Sequence, residues 1–164
     1  MTLEESKLKF IQAWGSLGTN WGINRTMAQV HALLMVSAEA LSADDIMAYL
    51  QISRGNANMN IRALIDIGLV YKSIRTGERR EFFIAEKEMS KVVRQIILHR
   101  KKKELEPLLH ILQEIKTTQD ESAEAQVFSK TVENIQLFAQ KADTLLDMLV
   151  LADVEMLMQM FSQE

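Results

Sequence analysis

The sequence contains no cysteine, one proline and six glycines in 164 residues. The absence of cysteine excludes disulfide bonds, thiol nucleophiles, iron–sulfur clusters and cysteine-ligated zinc. Glycine and proline average about 7% and 5% in proteins, and their scarcity argues against the many turns of a β-sandwich or barrel. Long regular elements, mostly helices, are therefore expected.

Long apolar runs are absent as well. The longest covers about five residues, as at 32–36, whereas a helix that crosses a bilayer needs about 20. Charged residues at positions 4, 5, 7 and 9 are unlike a signal peptide. With 48% apolar and 25% charged residues, the composition is that of a globular chain. We expect a soluble, cytoplasmic protein that does not associate with membranes.

The net charge of −3 is unevenly distributed. Residues 1–103 contain sixteen Lys and Arg against ten Asp and Glu, whereas residues 104–164 contain three against twelve. The first part is therefore basic by six charges and the second acidic by nine. A nucleic-acid-binding half joined to an acidic assembly half has this pattern, although chance drift in an ordinary globular protein gives it too.

Three helices followed by a two-stranded ribbon are predicted between residues 24 and 85. The helices are expected over residues 25–38, 43–50 and 54–67, each preceded by a capping residue: Asn24, Ser42 and Ser53. Strand-like runs at 69–74 and 81–85 flank a tip that carries three arginines. This order is that of a winged helix-turn-helix, a mostly helical fold with a small β-hairpin wing.

The third of these helices has the composition of a DNA recognition helix. If Ala57, Ile61, Leu64 and Ile65 face the core, polar residues cover the opposite side. Asparagine pairs with adenine and arginine with guanine, while methionine suits a thymine methyl group. The predicted DNA contacts of this helix are Ser53, Arg54, Gly55, Asn56, Asn58, Met59, Asn60 and Arg62.

The predicted wing is cationic. Its candidate DNA contacts are Lys72, Arg75, Arg79 and Arg80, which suit phosphates or a narrow minor groove. The alternative is that the charges only keep a hairpin tip soluble, with Glu78 and Glu81 neutralising two of the arginines.

Helices are also predicted on either side of this segment. A first helix over residues 3–17 is expected to end with the help of Gly15 and Gly18. A long apolar stripe over residues 86–118 contains Pro107, so a kink or a helix restart is expected at 106–107. A last long helix includes Phe128, Ile135, Phe138, Leu145 and Leu149, followed by a short methionine-rich one.

Five motifs carry a resemblance to a known family: WGINRTM at 21–27, LSADDI at 41–46, ISRGNANMNIRAL at 52–64, GLV at 68–70 and GERREFF at 77–83. Over residues 10–105 the chain resembles the GbsR branch of the MarR-type transcription regulators. It departs from the family pattern at Asn24, where a proline is expected, and at Gln29, where arginine is frequent.

The resemblance implies a homodimeric DNA-binding regulator with a recognition helix at 53–65 and a wing at 75–80. It implies an N-terminal dimerisation helix over 1–20, a winged helix-turn-helix DNA-binding domain over 21–86 and long C-terminal dimerisation helices over 87–164. Members are associated with choline or betaine sensing, and Trp14 and Trp21 have aromatic faces that suit such a small-molecule effector. Core packing of the first helix is the alternative for these two side chains.

Other chemistry finds little support. The glycines match neither a P-loop nor a dinucleotide fingerprint, so we expect no enzyme, no catalytic residue and no cofactor. His99 and His110 are eleven residues apart and lack further ligands nearby, so no metal site is expected. His31 is predicted to pack in the core. The lysines at 101–103 either touch flanking phosphates or form a solvated helix face.

The sequence therefore predicts a sequence-specific regulator that binds double-stranded operator DNA as a homodimer, with repression by promoter blockage as the expected mode. The alternative is a winged-helix adaptor in the transcription machinery, whose acidic C-terminal helices dock a partner protein.

Overall fold

The computed structural model describes residues 1–20, 23–116, 120–152 and 159–161. The chain divides into two compact units, Met1–Val92 and Val93–Glu164. The helices are α1 (Leu3–Asn20), α2 (Arg25–Val36), α3 (Ala43–Leu50), α4 (Arg54–Ile67), α5 (Met89–Arg100), α6 (Glu106–Glu114) and α7 (Ala123–Leu151), and the strands are β1 (Leu41–Ser42), β2 (Val70–Ser73) and β3 (Phe82–Ala85).

The three predicted helix caps are confirmed. Asn24 Oδ1 accepts from the backbone N–H of Thr26 at 2.8 Å. Ser42 and Asp45 form a reciprocal capping box at the start of α3, and Ser53 Oγ accepts from the N–H of Asn56 at 3.2 Å. These bonds satisfy N–H groups that have no partner within the helix and fix where α2, α3 and α4 begin.

The first helix differs from the prediction at its end. It continues to Asn20, so Gly15 and Gly18 lie inside α1 and do not end it. A Cβ atom at Gly18 would lie 2.6 Å from the Cβ of Ala28, and one at Gly15 would lie 2.8 Å from the Cγ of Gln29. Both glycines therefore serve the close approach of α1 to α2, and the missing side chain matters more than the backbone freedom.

A small antiparallel sheet has the order β1-β3-β2. The hairpin pairs Val70 with Ala85 and Ser73 with Phe82, in strands shorter than predicted. Strand β1 was not predicted, and of its two residues only Ser42 was given a role, that of helix cap. Ser42 does cap α3, but it also pairs with Phe82.

Helix α2 lies at the centre of the first unit and packs on α1, α3 and α4. The core consists of aliphatic and aromatic side chains that are almost fully buried: Val30, Leu33, Leu34, Ile46, Ala57, Ile61, Leu64, Val70, Phe82 and Phe83. The succession of α2, α3, α4 and the β2–β3 hairpin is a winged helix-turn-helix, which confirms the predicted fold class.

The second unit contains an irregular helical stretch at the predicted position. Residues Lys101–Leu105 form a π-helical segment, and the N–H of Glu106 donates to the carbonyl of Lys101. Helix α6 then begins at Glu106 with Pro107 in its first turn. At this position the N–H that proline lacks would have no partner within the helix. The predicted restart at 106–107 is confirmed.

Lys101 turns toward α7. Its Nζ lies 3.2 Å from Asp143 Oδ1 and also pairs with Asp147, and its side chain is largely buried. Hydrogen bonds from Lys101 to Asp147 and Asp143 raise the pKa of the lysine. The 101–103 lysine run is therefore not uniform: Lys102 and Lys103 are exposed, whereas Lys101 links the π-helical segment to α7.

Candidate nucleic-acid interface

Helix α4 separates a buried face from an exposed one. Ala57, Ile61 and Leu64 are buried as predicted. Most of the predicted contact residues are exposed on the other side: Ser53, Arg54, Gly55, Asn58, Met59 and Arg62. A Cβ atom at Gly55 would meet nothing within 4 Å, so a large ligand can approach the helix backbone there.

Asn60 does not lie on the exposed face of α4. The sequence predicts its side chain on the DNA-reading side, but the residue is only 2% exposed. The physical reason is its spacing, three residues after Ala57 and four before Leu64, which puts it in the buried stripe. The prediction that Asn60 is exposed is therefore wrong, because its position in the stripe outweighs its polarity.

Three asparagines form a connected chain of carboxamides. Asn24 Nδ2 donates to Asn60 Oδ1 at 3.4 Å. Asn60 Nδ2 donates to Asn56 Oδ1 at 2.7 Å and to the carbonyl of Asn56 at 2.9 Å. The buried amide of Asn60 is thereby satisfied, as burial of a polar group requires. Asn56 is partly exposed at the outer end of the chain.

The two arginines of the α4 region differ in their pairing. Arg54 Nη2 lies 3.0 Å from Asp44 Oδ1, and both side chains are exposed. Arg62 is exposed and forms no ion pair with any residue in the described part of the chain. Arg62 is therefore the cation on α4 that needs no local bond to be broken before it meets an anion or a base.

The wing turns at Gly77, whose φ is +84°, a value that favours glycine. The N–H of Glu78 donates to the carbonyl of Arg75 at 3.3 Å across this turn. The Arg75 guanidinium lies 4.1 Å from the centre of the Phe82 ring and donates to the carbonyl of Ala40 at 3.2 Å. These contacts make Arg75 an anchor that holds the wing to the segment before β1.

The remaining wing cations also divide into two kinds. Lys72 Nζ lies 2.5 Å from Glu81 Oε1 across the hairpin, so Glu81 neutralises a lysine and not an arginine. Arg79 and Arg80 are exposed, and neither forms an ion pair within the described residues. The wing arginines also act on the capping box. The pKa of Asp45 is lowered mainly by hydrogen bonds from Ser42, and the positive charges of Arg80 and Arg75 lower it further.

Of the two tryptophans whose faces suit an effector, the structure describes Trp14. Trp14 lies 5.6 Å from Phe10 and 6.2 Å from His31, measured between ring centres. His31 is 3% exposed, as predicted for a core residue, and desolvation lowers its pKa from 6.5 to about 4. Its Nε2 has no hydrogen-bond partner among the described residues. Trp21 lies outside the described residues.

The described residues contain no group of three or more histidine or acidic side chains placed to hold a metal ion. His110 pairs instead with Glu114 at 3.2 Å on the exposed side of α6. None of the described helices combines the length and the apolar character that crossing a membrane requires.

Comparison with known proteins gives a structural likeness. A solved structure described as a transcriptional regulator has a TM-score of 0.67 to this chain at 18% sequence identity, and the match covers 88% of this chain and 95% of the other. No family model and no curated protein matches the sequence. The likeness shows a shared fold, a mostly helical winged helix with a small sheet, that a transcriptional regulator also adopts.

Proposed function

We propose that this protein is a transcriptional regulator that binds specific double-stranded DNA sequences. The observation that carries the proposal is the exposed face of α4, where Asn58, Met59 and Arg62 lie opposite the buried side chains of Ala57, Ile61 and Leu64. The same unit carries Arg79 and Arg80 of the wing, which form no ion pair among the described residues. A helix of this kind fits the major groove, which is about 12 Å wide.

Each exposed group has a role in this proposal. Arg62 reads a base edge, since a guanidinium pairs with two acceptors of guanine. Ser53 and the start of α4 lie against a phosphate. Arg79 and Arg80 neutralise phosphates beside the groove, while Lys72 and Arg54 must first exchange their partners Glu81 and Asp44 for DNA.

We further propose that the chain acts as a homodimer through α7. Residues at alternating steps of three and four along this helix form an apolar stripe, here called the α7 seam: Phe128, Thr131, Ile135, Phe138, Ala142, Leu145 and Leu149. All except Ala142 are exposed, with Phe138 at 75% and Leu145 at 62%. A repeat of 3.5 residues is the spacing with which two helices pair in a coiled coil.

The buried side of α7 is a different one. Val132 and Ala139 pack with Leu112 of α6, so the described residues of the unit leave the α7 seam exposed. A contiguous apolar surface of this kind marks an association site. A twofold symmetric pair would present two copies of α4 to an inverted repeat.

The finer assignments of the family resemblance are part of the same proposal. They are membership of the GbsR branch, a cytoplasmic location, repression by blocking a promoter, and response to a small-molecule effector. Asn24, which stands where that family has proline, is the departure with a visible consequence, because it caps α2 and bonds to Asn60.

The test is selection of bound duplexes from a random-sequence library, followed by affinity measurements at several salt concentrations. Arg62→Ala is expected to change the preferred base at one position per half-site. Arg79→Ala with Arg80→Ala is expected to weaken all sequences and to reduce the slope of log affinity against log salt by about 2, roughly 0.9 for each lost phosphate contact.

The matched control for the wing is Lys130→Ala with Lys141→Ala, which removes two exposed positive charges from α7. It should leave the salt slope unchanged. Failure to enrich any sequence over random duplex overturns the proposal and favours the adaptor alternative, in which the acidic residues of 104–164 dock a protein.

A further inference from the structure

We propose that the hydrogen-bonded chain Asn24–Asn60–Asn56, here called the amide relay, fixes Asn56 as a hydrogen-bond donor toward DNA. The relay is a positioning device, and Asn56 is the group that meets the ligand. The ligand chemistry is a hydrogen-bond acceptor at the rim of the major groove. This inference rests on the proposed function and adds the polarity of one contact.

The direction of the relay is set at its Asn24 end. The backbone N–H of Thr26 can only donate, and it donates to Asn24 Oδ1 at 2.8 Å. Asn24 must therefore turn its NH₂ group toward Asn60, where Nδ2 lies 3.4 Å from Oδ1. The helix cap thus fixes the orientation of the Asn60 carboxamide.

Asn60 transmits this orientation through the core. Its Oδ1 accepts from Asn24, so its NH₂ group faces Asn56 and donates to both Oδ1 and the carbonyl oxygen there. Reversal of Asn60 alone would place two NH₂ groups together at the Asn24 end and oxygens together at the Asn56 end, and it would lose all three hydrogen bonds of a buried side chain. Burial makes such unpaired groups costly, so the carboxamide is held in one orientation.

The consequence appears at the surface. The Oδ1 of Asn56 is committed to Asn60, whereas its Nδ2 donates to no group in the described part of the chain and the residue is partly exposed. Paired recognition of adenine needs both a donor and an acceptor. With its Oδ1 turned toward Asn60, Asn56 presents its NH₂ group outward, and such a donor suits guanine N7 and O6, thymine O4 or a phosphate oxygen.

The first test is Asn56→Asp, which keeps an oxygen for Asn60 and removes the outward N–H groups. With the duplex selected by the natural chain, we expect about tenfold weaker binding, the scale of one lost hydrogen bond. Replacing the contacted guanine by 7-deazaguanine should then cost the natural chain affinity and the variant none. If instead a neutral methylphosphonate in the backbone gives that result, the acceptor is a phosphate. Unchanged affinity of Asn56→Asp overturns the proposal.

The second test reverses the relay from its remote end. Asn24→Asp keeps a good helix cap but places an acceptor against Asn60 Oδ1. Charge-assisted hydrogen bonds are roughly twice as strong as neutral ones, so Asn60 should turn its NH₂ group to Asp and its oxygen to Asn56, giving up its bond to the Asn56 carbonyl. Asn56 then donates inward and presents Oδ1 outward.

Asn24→Asp should therefore shift the base preference toward the exocyclic amines of adenine or cytosine, or abolish a phosphate contact. The control is Arg25→Gln, which changes the net charge by the same amount one residue away. It should alter overall affinity only. Equal preferences and equal affinities for the two variants overturn the proposal.

A measurement without DNA separates this inference from the proposed function. In the ¹⁵N-labelled natural chain the side-chain NH₂ of Asn60 should exchange slowly with solvent and that of Asn56 rapidly. In Asn24→Asp the Asn56 group should become slow. This change supports the relay even when no duplex is selected, whereas a slow Asn56 NH₂ in the natural chain overturns it.

Discussion

At the scale of single residues, the burial of Asn60 is explained by its position rather than by its residue type. Asn60 lies in the apolar stripe of α4, and this was readable from its spacing to Ala57 and Leu64. Its partner Asn24 lies 36 residues earlier, and no local pattern indicates such a bond. The same holds for Arg75, whose acceptor on Ala40 lies 35 residues away.

His31 leads to a prediction about acid stability. Burial lowers its pKa from 6.5 to about 4, so protons bind more tightly to the unfolded chain than to the folded one. The contribution of neutral His31 is complete above pH 6.5 and is lost as the pH falls toward 4. Between pH 7 and 5 the loss should be about 2 kcal/mol.

The measurement is urea unfolding followed by tryptophan fluorescence, which reports the unit that contains both tryptophans. His31→Leu removes the titrating group and keeps an apolar side chain beside Trp14, so this pH dependence should disappear. Asp45, whose pKa is lowered, loses its own contribution only at more acid pH. Parallel pH profiles for the two proteins would show that His31 titrates normally.

At the scale of elements, the caps and stripes predicted the helices well because both are local signals. Asn24, Ser42 and Ser53 each begin a helix where expected. Strand β1 was missed because two residues have no period, and its pairing with β3 joins residues that are distant in sequence. The glycines of α1 were misread because close packing and helix termination call for the same residue.

The packing of α1 on α2 gives the second prediction. Gly18→Ala places a Cβ atom 2.6 Å from the Cβ of Ala28, and the neighbouring side chain has no freedom to move. The two helices must separate, which should cost about 1–3 kcal/mol of unfolding free energy. In Gly15→Ala the nearest neighbour of the new Cβ is the flexible side chain of Gln29, so the loss of unfolding free energy should be smaller.

Gly55→Ala is the matched comparison, since it lies in a helix with open space around it. It should stabilise the protein by roughly 0.5–1 kcal/mol through helix propensity alone. Urea unfolding of the three variants checks the order. A Gly18→Ala protein as stable as Gly55→Ala would contradict close packing of these helices.

At the scale of the whole molecule, the charge asymmetry and the apolar surface point to different tasks for different parts of the chain. Arg62, Arg79 and Arg80, three exposed arginines that form no ion pair among the described residues, all belong to the first unit, and the α7 seam belongs to the second. The sequence indicated the helical period of α7 but not which stripe faces solvent. That choice depends on α6, which covers the side of Val132 and Ala139.

Self-association through the α7 seam gives the third prediction. Phe138→Lys with Leu145→Lys should convert a dimer to a monomer in sedimentation experiments. Each position occurs twice in a symmetric pair, and burial of such a side chain stabilises by about 1.5–3 kcal/mol, so each substitution should cost about 3 kcal/mol or more. Both residues are exposed within the chain, so the helical content should stay the same.

Gln140→Lys adds a charge on a different exposed side of α7 and should leave the dimer intact, which separates the effect of the seam from that of charge. The monomeric variant should also lose its preference for inverted repeats over single half-sites, because that preference arises from two linked recognition helices. A natural chain that sediments as a monomer would contradict the seam as a dimer contact. If it still selected single half-sites, α4 would be shown to read DNA without the partner copy.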